Sequence, residues 1–320
     1  MNALRHLVVV LGPTASGKSA LGIALAERFG GEVVACDSTQ VYRHFDVGTG
    51  KVPREQQRGI PHHLVDLVEP HEVFTAGEYR RQAAAVLDEV SGRGKLPIIT
   101  AGTGLYLRAL LEGLADAPER SDVVRNSLGQ RLKRFGPEYL HRLLKKLDPE
   151  SAARIAPRDA QKVIRAIEVR LLSGQRVSLL HRKGRVGLQG YKVTKIGLLP
   201  PRDALYARID SRVQQMLGAG WLAEVKSLVE QGVPPSAKPF TFLGYSHLRR
   251  HLQGELELKE AVRQTQLATR RLAKRQITWF RKEPDVHWFQ CFGDSAEVFS
   301  QASALLSDGK LQPAIPYSTE

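Results

Sequence analysis

Cysteine is nearly absent from this chain of 320 residues, which contains only Cys36 and Cys291. Two cysteines are too few for a disulfide framework or a zinc site, and this favours a reducing compartment such as the cytoplasm. No apolar run approaches the roughly 20 residues that a membrane-spanning helix needs. The short apolar stretch near the N-terminus lacks the length and cleavage site of a signal peptide. The sequence therefore predicts a cytoplasmic protein with no membrane partner.

Acidic residues are scarce relative to basic ones. The chain has 47 Lys and Arg residues against 33 Asp and Glu residues, a net charge of +14. Because each phosphate that Lys or Arg neutralises releases condensed counterions, this excess favours a polyanionic partner. A basic surface that serves solubility alone is the alternative. The length is sufficient for a full core, with more than one domain or one domain with an insert.

One motif predicts a phosphate site. The pattern G-x-x-x-x-G-K-[ST] lies between an apolar run at 7–11 and a predicted helix at 18–28. Its residues are Gly12, Pro13, Thr14, Ala15, Ser16, Gly17, Lys18 and Ser19. In such a loop the backbone N–H groups and the helix N-terminus face the phosphates. Lys18 can neutralise the outer phosphate and the Ser19 hydroxyl can ligate Mg²⁺, the predicted cofactor. The motif alone does not specify which phosphorylated molecule is bound.

The remaining pattern predicts an α/β fold. Strands are expected at 7–11, 32–36, 63–66, 97–100, 192–199 and 286–290, and helices at 18–28 and 77–91. This alternation is typical of a parallel sheet covered on both faces. A helical insert is expected over 118–185, with helices at 122–135, 137–147, 149–155 and 159–173, then a basic linker at 182–190. Residues 1–117 and 186–320 form the core, which is helical again after Pro201 and has a frayed tail from Gly309.

Two polar segments follow strands of the predicted sheet, where ligands of such sheets bind. Asp37 follows the second strand and can act as a general base or a metal ligand; the alternative is an ordinary turn aspartate. Thr103 lies in a Gly-Thr-Gly turn after the fourth strand and offers a hydroxyl and an N–H to an oxyanion or a pyrophosphate. Such a turn is otherwise a plain strand-to-helix junction.

Cations predominate in the segment 259–282, which has Glu260 as its only acid. On a helix they form two adjoining stripes: Arg263, Arg270, Lys274 and Arg281, then Arg271, Arg275 and Lys282. A solvated face normally interleaves Glu with Lys, so this strip is predicted to bind a nucleic-acid backbone. The insert helix 159–173 carries a smaller version, Arg158, Lys162 and Arg165, with apolar residues expected to pack beneath: Val163, Ile164, Ile167 and Leu171.

Several motifs occur together in a fixed order: GPTASGKS, DSTQVY, HHLVD, FTAGEY, AGTGLY and TRRLAKRQITWFR. Together they resemble the tRNA dimethylallyltransferases (tRNA isopentenyltransferases) over nearly the whole chain. The resemblance implies a P-loop NTPase-like parallel sheet with a helical insertion domain that grips tRNA. It further implies transfer of a dimethylallyl group from dimethylallyl pyrophosphate to N6 of the adenosine 3′ of the anticodon, with release of pyrophosphate. One crevice per chain makes a monomer sufficient.

The resemblance also implies residue roles. Asp37 matches the general base, Thr103 matches a threonine that bridges nucleophile and donor, and Arg212 matches an arginine on the pyrophosphate. The implied contacts with the tRNA anticodon stem-loop are Asp37, Ser38, Thr39, Gln40, Thr103, Arg125, Gln161, Lys162, Val163, Ile164, Arg165, Lys274, Arg275, Gln276 and Arg281. This chain has Ala101 where the family has a glycine, which is acceptable if the φ angle of Ala101 is negative.

Two other functions fit parts of the pattern. A small-molecule kinase, or an isopentenyltransferase that acts on free adenine nucleotide, would use the same phosphate loop but has no use for the basic strip and the insert. An ATP-switching nucleic-acid binder would carry a Mg²⁺-linked Asp at the end of a strand. Here the fourth strand ends in Ala-Gly-Thr-Gly, which disfavours hydrolysis.

Overall fold

A six-stranded parallel sheet is the centre of this chain in a computed structural model that describes residues 4–182, 184–309 and 311. The strands are β1 (Arg5–Leu11), β2 (Gly31–Cys36), β3 (His62–His63), β4 (Leu96–Ala101), β5 (Tyr191–Leu198) and β6 (Val286–Phe289). The helices of the core are α1 (Lys18–Phe29), α2 (Ala76–Gly92), α3 (Gly104–Leu111), α9 (Arg202–Gly218), α10 (Trp221–Glu230), α11 (Tyr245–Leu252), α12 (Leu258–Phe280) and α13 (Ala296–Asp308). The predicted α/β class is confirmed.

The strand order β3-β2-β4-β1-β5-β6 brings the informative loops together. Ala101 at the end of β4 pairs with Leu11 of β1 and with Cys36 of β2. Three carboxyl ends therefore lie level and adjacent, as a parallel sheet requires for a shared ligand crevice. The residues that follow them are the phosphate loop, Asp37 and Gly102.

Strand β1 reads as an unbroken apolar run because it is buried on both faces. Leu7 to Leu11 are completely buried. Val8 and Val10 pack with side chains of α1 and α13, among them Leu21 and Leu306. Helix α1 begins at Lys18 because Gly17 adopts a φ of 88°, which turns the chain out of the loop and into the helix.

The chain divides into two compact units, 1–110 with 188–320, and 111–187. The second covers the region predicted as an insert over 118–185. Its helices are α4 (Asp122–Phe135), α5 (Pro137–Leu147), α6 (Pro149–Arg154), α7 (Ala160–Ser173) and α8 (Val177–Arg182). They enclose a core that includes Leu128, Leu144 and Ile167. The buried Asp148 accepts hydrogen bonds from the backbone and hydroxyl groups of Ser151 and Ser178, which fixes the start of α6 and α8.

The structure corrects several local predictions. The strand predicted at 63–66 has only two residues, His62 and His63, because Leu64 and Asp66 adopt φ angles of 62° and 55° and leave the extended conformation. Helices α3 and α13 lie where no helix was predicted, and α8 lies within the predicted helical insert but had not been assigned as a separate helix. Of the tail predicted from Gly309, residues 310 and 312–320 lie outside the described residues. Ala101 shows no positive φ, so its backbone tolerates the side chain.

In the described part of the chain, no helix combines the length and the apolar character needed to cross a membrane.

Candidate active site

The phosphate loop forms the floor of a crevice at the carboxyl ends of the strands. A cavity of about 780 Å³ is lined by the run from Thr14 to Ser19, whereas Gly12 and Pro13 lie buried behind it. The half-buried Ser19 opens into this cavity at the first turn of α1. The loop therefore presents its C-terminal six residues to a ligand.

Lys18 folds back over the loop. Its Nζ atom donates a hydrogen bond of 2.7 Å to the carbonyl of Pro13. Burial lowers the pKa of Lys18 to about 8, with the carboxylate of Asp37 opposing this shift and Arg212 adding to it. A lysine that is incompletely compensated by negative charge is suited to receive an anion.

Asp37 has one engaged and one open oxygen. Its Oδ1 atom accepts hydrogen bonds from the backbone N–H and the hydroxyl of Thr39, at 2.8 and 2.7 Å. Oδ2 faces Gly102, and a Cβ atom at residue 102 would lie 2.7 Å from it. Oδ2 has no hydrogen-bond donor among the described residues. The carboxylate is thus oriented by one oxygen and can accept a proton with the other.

Thr103 lies against the Asp37 loop through its hydroxyl. The Oγ1 atom accepts a hydrogen bond of 2.9 Å from the Ser38 N–H and donates to the Ser38 hydroxyl at 3.2 Å. Its own N–H donates to the Cys36 carbonyl at 3.0 Å. The predicted use of this N–H for an oxyanion is wrong, because the junction between β4 and α3 consumes it. Only one acceptor lone pair of the hydroxyl remains for a ligand.

Arg212 reaches the crevice from α9. It lines the cavity together with Lys18 and Asp37, and burial and the neighbouring Arg208 lower its pKa. Arg208 also faces the cavity but forms a two-pronged ion pair with Asp294 at 2.8 and 2.7 Å. Arg212 is therefore the arginine available to a phosphate. The sequence did not reveal that Asp294 neutralises Arg208, because these two residues are distant in the chain.

The crevice continues into a second cavity of about 320 Å³. Both cavities are lined by Thr14, Asp37, Gly102 and Arg212. The second one has an apolar wall that the sequence did not identify: Ile209, Val213, Met216, Trp221, Phe242, Leu243 and Leu272. The crevice thus has a cationic end at the phosphate loop and an apolar end beyond Asp37.

Gln276 does not lie at the outer surface expected of an RNA contact. Its Oε1 atom accepts a hydrogen bond of 2.8 Å from the Thr14 N–H, and its Nε2 atom donates one of 2.8 Å to the Gly102 carbonyl. Gln40 similarly turns inward and donates to the carbonyls of Thr49 and Gly50 at 3.3 and 3.2 Å. Both amides brace loops of the crevice.

The cationic strip of α12 is shorter than predicted. Arg263 is paired with Glu260 at 2.7 and 2.6 Å, and Arg270 is paired with Asp210 of α9. The exposed cations for which the described residues show no ion pair are Arg271, Lys274, Arg275, Arg281 and Lys282. The prediction of almost no counter-charge was wrong for Arg270 because its partner comes from another helix.

In unit 111–187 the residues predicted to contact RNA differ in their exposure to solvent. Gln161 and Lys162 are exposed, and Lys162 pairs with Asp159 at 2.5 Å. Val163 is completely buried and Ile164 packs on the same core, so neither side chain is placed for RNA. Leu171, expected beneath the helix, is 57% exposed.

The unit carries 17 Lys and Arg residues against 9 Asp and Glu residues, which is +8 of the chain's +14.

Arg125 and Arg165 meet at Glu168. The carboxylate is completely buried and accepts two hydrogen bonds from Arg125 at 2.9 Å and one from Arg165 at 2.8 Å. Burial alone would raise the pKa of Glu168, but hydrogen bonds from Arg125, Arg165 and the Ser121 N–H lower it to about 2. Both arginines are thus partly neutralised and join α4 to α7.

Glu168→Gln is expected to lower the free energy of unfolding of this unit by about 3 kcal/mol, because two partly buried guanidinium groups lose their anion. Hydrogen exchange of the α4 and α7 amides measures the effect. Glu150→Gln is the matched control: Glu150 forms exposed pairs with Arg154 and Arg182, which contribute less than about 1 kcal/mol. Equal effects of the two substitutions would contradict the account.

Known proteins resemble this chain over most of its length. The family model described as IPP transferase matches residues 40–283. A protein of Solibacter usitatus named tRNA dimethylallyltransferase is 50% identical over 292 residues, which cover 91% of this chain and 95% of that protein.

Solved structures show the same likeness. The crystal structure of the full-length tRNA isopentenylpyrophosphate transferase from Bacillus halodurans aligns with a TM-score of 0.70 and 35% identity, over 96% of this chain and 97% of that one. A eukaryotic dimethylallyltransferase described as acting on tRNA aligns with a TM-score of 0.81 and 25% identity, over 99% of this chain and 81% of that one.

Proposed function

We propose how the crevice performs the reaction of the family to which this chain belongs, the tRNA dimethylallyltransferases (IPP transferases). The chain is a tRNA-modifying prenyltransferase. The observation that carries the proposal is the convergence of a phosphate loop, a carboxylate with one open oxygen and a Gly-Thr turn on one crevice. The proposed donor is dimethylallyl pyrophosphate, and the proposed acceptor is N6 of the adenosine 3′ of the anticodon.

The pyrophosphate occupies the cationic end. Backbone N–H groups of the loop and the N-terminus of α1 face it, and Lys18 and Arg212 neutralise the charge that grows as the carbon–oxygen bond breaks. The Ser19 hydroxyl opens into the same cavity and is the oxygen ligand that this loop offers to Mg²⁺. It would help to hold this ion, which when bound supplies further neutralisation of the leaving group.

The acceptor amine lies between Asp37 and the donor carbon. Its nitrogen forms a bond with C1 of the dimethylallyl group while the bond from C1 to the pyrophosphate oxygen breaks. One N6 proton passes to Oδ2 of Asp37, the oxygen that no described residue engages. The Thr103 hydroxyl, adjacent to the Asp37 loop, orients the amine. The products are one alkylated amine and one pyrophosphate, and the proton lost by the amine is held on Asp37.

The apolar end of the crevice excludes water from the reacting carbon. The aliphatic side chains of its wall, such as Ile209, Val213 and Leu272, carry no nucleophile that could compete with the amine. An allylic carbon with cationic character would be consumed by water in an open site. The apolar wall therefore favours prenyl transfer over hydrolysis of the donor.

Cations of α12 are proposed to bind the phosphates of the anticodon stem-loop, and Arg158 of unit 111–187, an exposed cation for which the described residues show no ion pair, is proposed as a further contact. Lys274→Ala and Arg281→Ala are each expected to reduce the slope of log K for tRNA binding against log salt concentration by about 0.7–0.9. Arg263→Ala is the matched control on the same helix, because Glu260 already neutralises that guanidinium. Unchanged slopes for Lys274 and Arg281 would identify this face as merely solvated.

The test of the proposed substrates uses labelled dimethylallyl pyrophosphate with unmodified tRNA or with AMP. We expect label on tRNA and none on AMP. Label on AMP alone would establish the free-nucleotide enzyme instead, and strong tRNA-stimulated ATP hydrolysis would favour the ATP-switching binder. A cytoplasmic location and a monomeric state stay predictions; the crevice is formed by one chain, so one copy suffices.

A further inference from the structure

Helix α12 has two functionally different sides. Its exposed side carries Arg271 and Lys274, and the exposed Arg281 follows its last residue. Its inner side contacts three elements of the crevice: Gln276 hydrogen-bonds to the phosphate loop and to the Gly102 carbonyl, and Gln266 and Arg270 bond to Asp210 of α9, the helix that bears Arg212. The helix predicted to bind RNA is therefore also the scaffold of the donor site.

The side chain of Gln276 connects two loops of the crevice by hydrogen bonds. Its amide spans two loops that no other described side chain connects by hydrogen bonds: Thr14 in the phosphate loop and Gly102 in the turn before Thr103. The first loop holds the proposed pyrophosphate and the second adjoins both Asp37 and Thr103. The length of one glutamine side chain thus sets the separation between donor and acceptor groups.

We infer that Gln276 is a positioning residue that holds the phosphate loop and the Gly102–Thr103 turn in register, and that it is not an RNA contact. Its Oε1 and Nε2 atoms are each fixed by a hydrogen bond of 2.8 Å to one of the two loops, so the orientation of the amide is set by these loops and not by a ligand. Misplacement of reacting groups by about 1 Å costs up to ~10²-fold in rate. The inference rests on the proposed function of the crevice, since register matters only if both loops serve one reaction.

The first test compares Gln276→Ala with Gln264→Ala. Gln264 lies on the same helix and donates to Glu260 at the surface, so its substitution is the matched control. We expect Gln276→Ala to lower kcat by about 10–100-fold at saturating donor and tRNA, with the Kd for tRNA changed less than twofold. Gln264→Ala should change neither quantity. An increased Kd for tRNA at unchanged kcat would overturn the inference and make Gln276 an RNA contact.

The second test remains informative even if Gln276→Ala fails to fold. A carboxyl introduced by Gln276→Glu can accept the Thr14 N–H when ionised but can donate to the Gly102 carbonyl only when protonated. Partial burial beside a carbonyl raises the pKa of such a group. The ratio of variant to wild-type kcat should therefore rise as the pH falls from 8 to 6. A ratio that is independent of pH would contradict the positioning role.

The wild-type protein separates this inference from the proposed function. If the wild type transfers no dimethylallyl group to tRNA, the proposed function fails whatever the variants do. If the wild type is active and Gln276→Ala retains its full kcat, only the positioning role fails.

Discussion

Asp37→Ala should lower kcat for dimethylallyl transfer by about 10²–10⁴-fold, the range in which a general base contributes. The reason is local: Oδ1 is fixed by two hydrogen bonds from Thr39, and Oδ2 is the open oxygen beside Gly102. Without it the amine has no acceptor for its proton. Steady-state kinetics at saturating tRNA and donor measure the loss, and tRNA binding measured separately should change little.

The control is Asp37→Asn. The amide oxygen can still accept the hydrogen bonds from Thr39, so the loop keeps its conformation, but the side chain cannot take up a proton. It should be nearly as slow as Asp37→Ala. If Asp37→Asn retained normal turnover, or if Asp37→Ala weakened tRNA binding without slowing turnover, Asp37 would be a binding residue and not the base.

Lys18→Met should reduce kcat/KM for the donor by about 10²–10³-fold, the effect of deleting one preorganised charge that stabilises an oxyanion. Lys18 is the cation of the phosphate loop, and its Nζ atom is held in place by the Pro13 carbonyl. Methionine preserves the length and the apolar stem, so the loop keeps its packing. Pre-steady-state measurements divide the loss in kcat/KM into an effect on the binding of the donor and an effect on the transfer step.

The pH dependence of donor binding provides an independent check on Lys18. Since burial lowers its pKa to about 8, the lysine is charged in the free protein below pH 8 and increasingly neutral above it. An anion binds the charged form, so affinity should fall up to tenfold per pH unit above about 8, with proton uptake on binding. The last ionisation of a phosphate ester, at about pH 6, does not interfere. Lys18→Met should abolish this dependence, and an unchanged dependence would assign it elsewhere.

Local sequence was sufficient for the features that depend on consecutive residues. The phosphate loop between β1 and α1 and the placement of Asp37 and Thr103 after level strands follow from apolar runs, glycines and the geometry of parallel sheets. Strand β1 can be recognised in the sequence because burial of both of its faces requires apolar residues at consecutive positions. In contrast, two residues in β3 are too few for any periodicity to register, so that strand was predicted too long.

Features that depend on distant partners were not predictable. Arg270 carries no sign in its own segment that Asp210 of another helix neutralises it. Thr14 and Gly102 are separated from Gln276 by 262 and 174 residues, so neither the local sequence nor the family resemblance, which implied an RNA contact, indicated these bonds. The Thr103 N–H looked available only because its bond to the Cys36 carbonyl arises when β2 and β4 pair. Each of these features is a polar group whose hydrogen-bond or ion-pair partner is supplied by tertiary structure.

In the proposed reaction this crevice places a dimethylallyl group on N6 of the adenosine 3′ of the anticodon. Mass spectrometry can identify the product among nucleosides from unmodified tRNA that has been incubated with the protein, Mg²⁺ and dimethylallyl pyrophosphate. We expect N6-dimethylallyl adenosine from that position, with almost none formed by Asp37→Ala. Unmodified adenosine at that position, or equal product from Asp37→Ala, would contradict it.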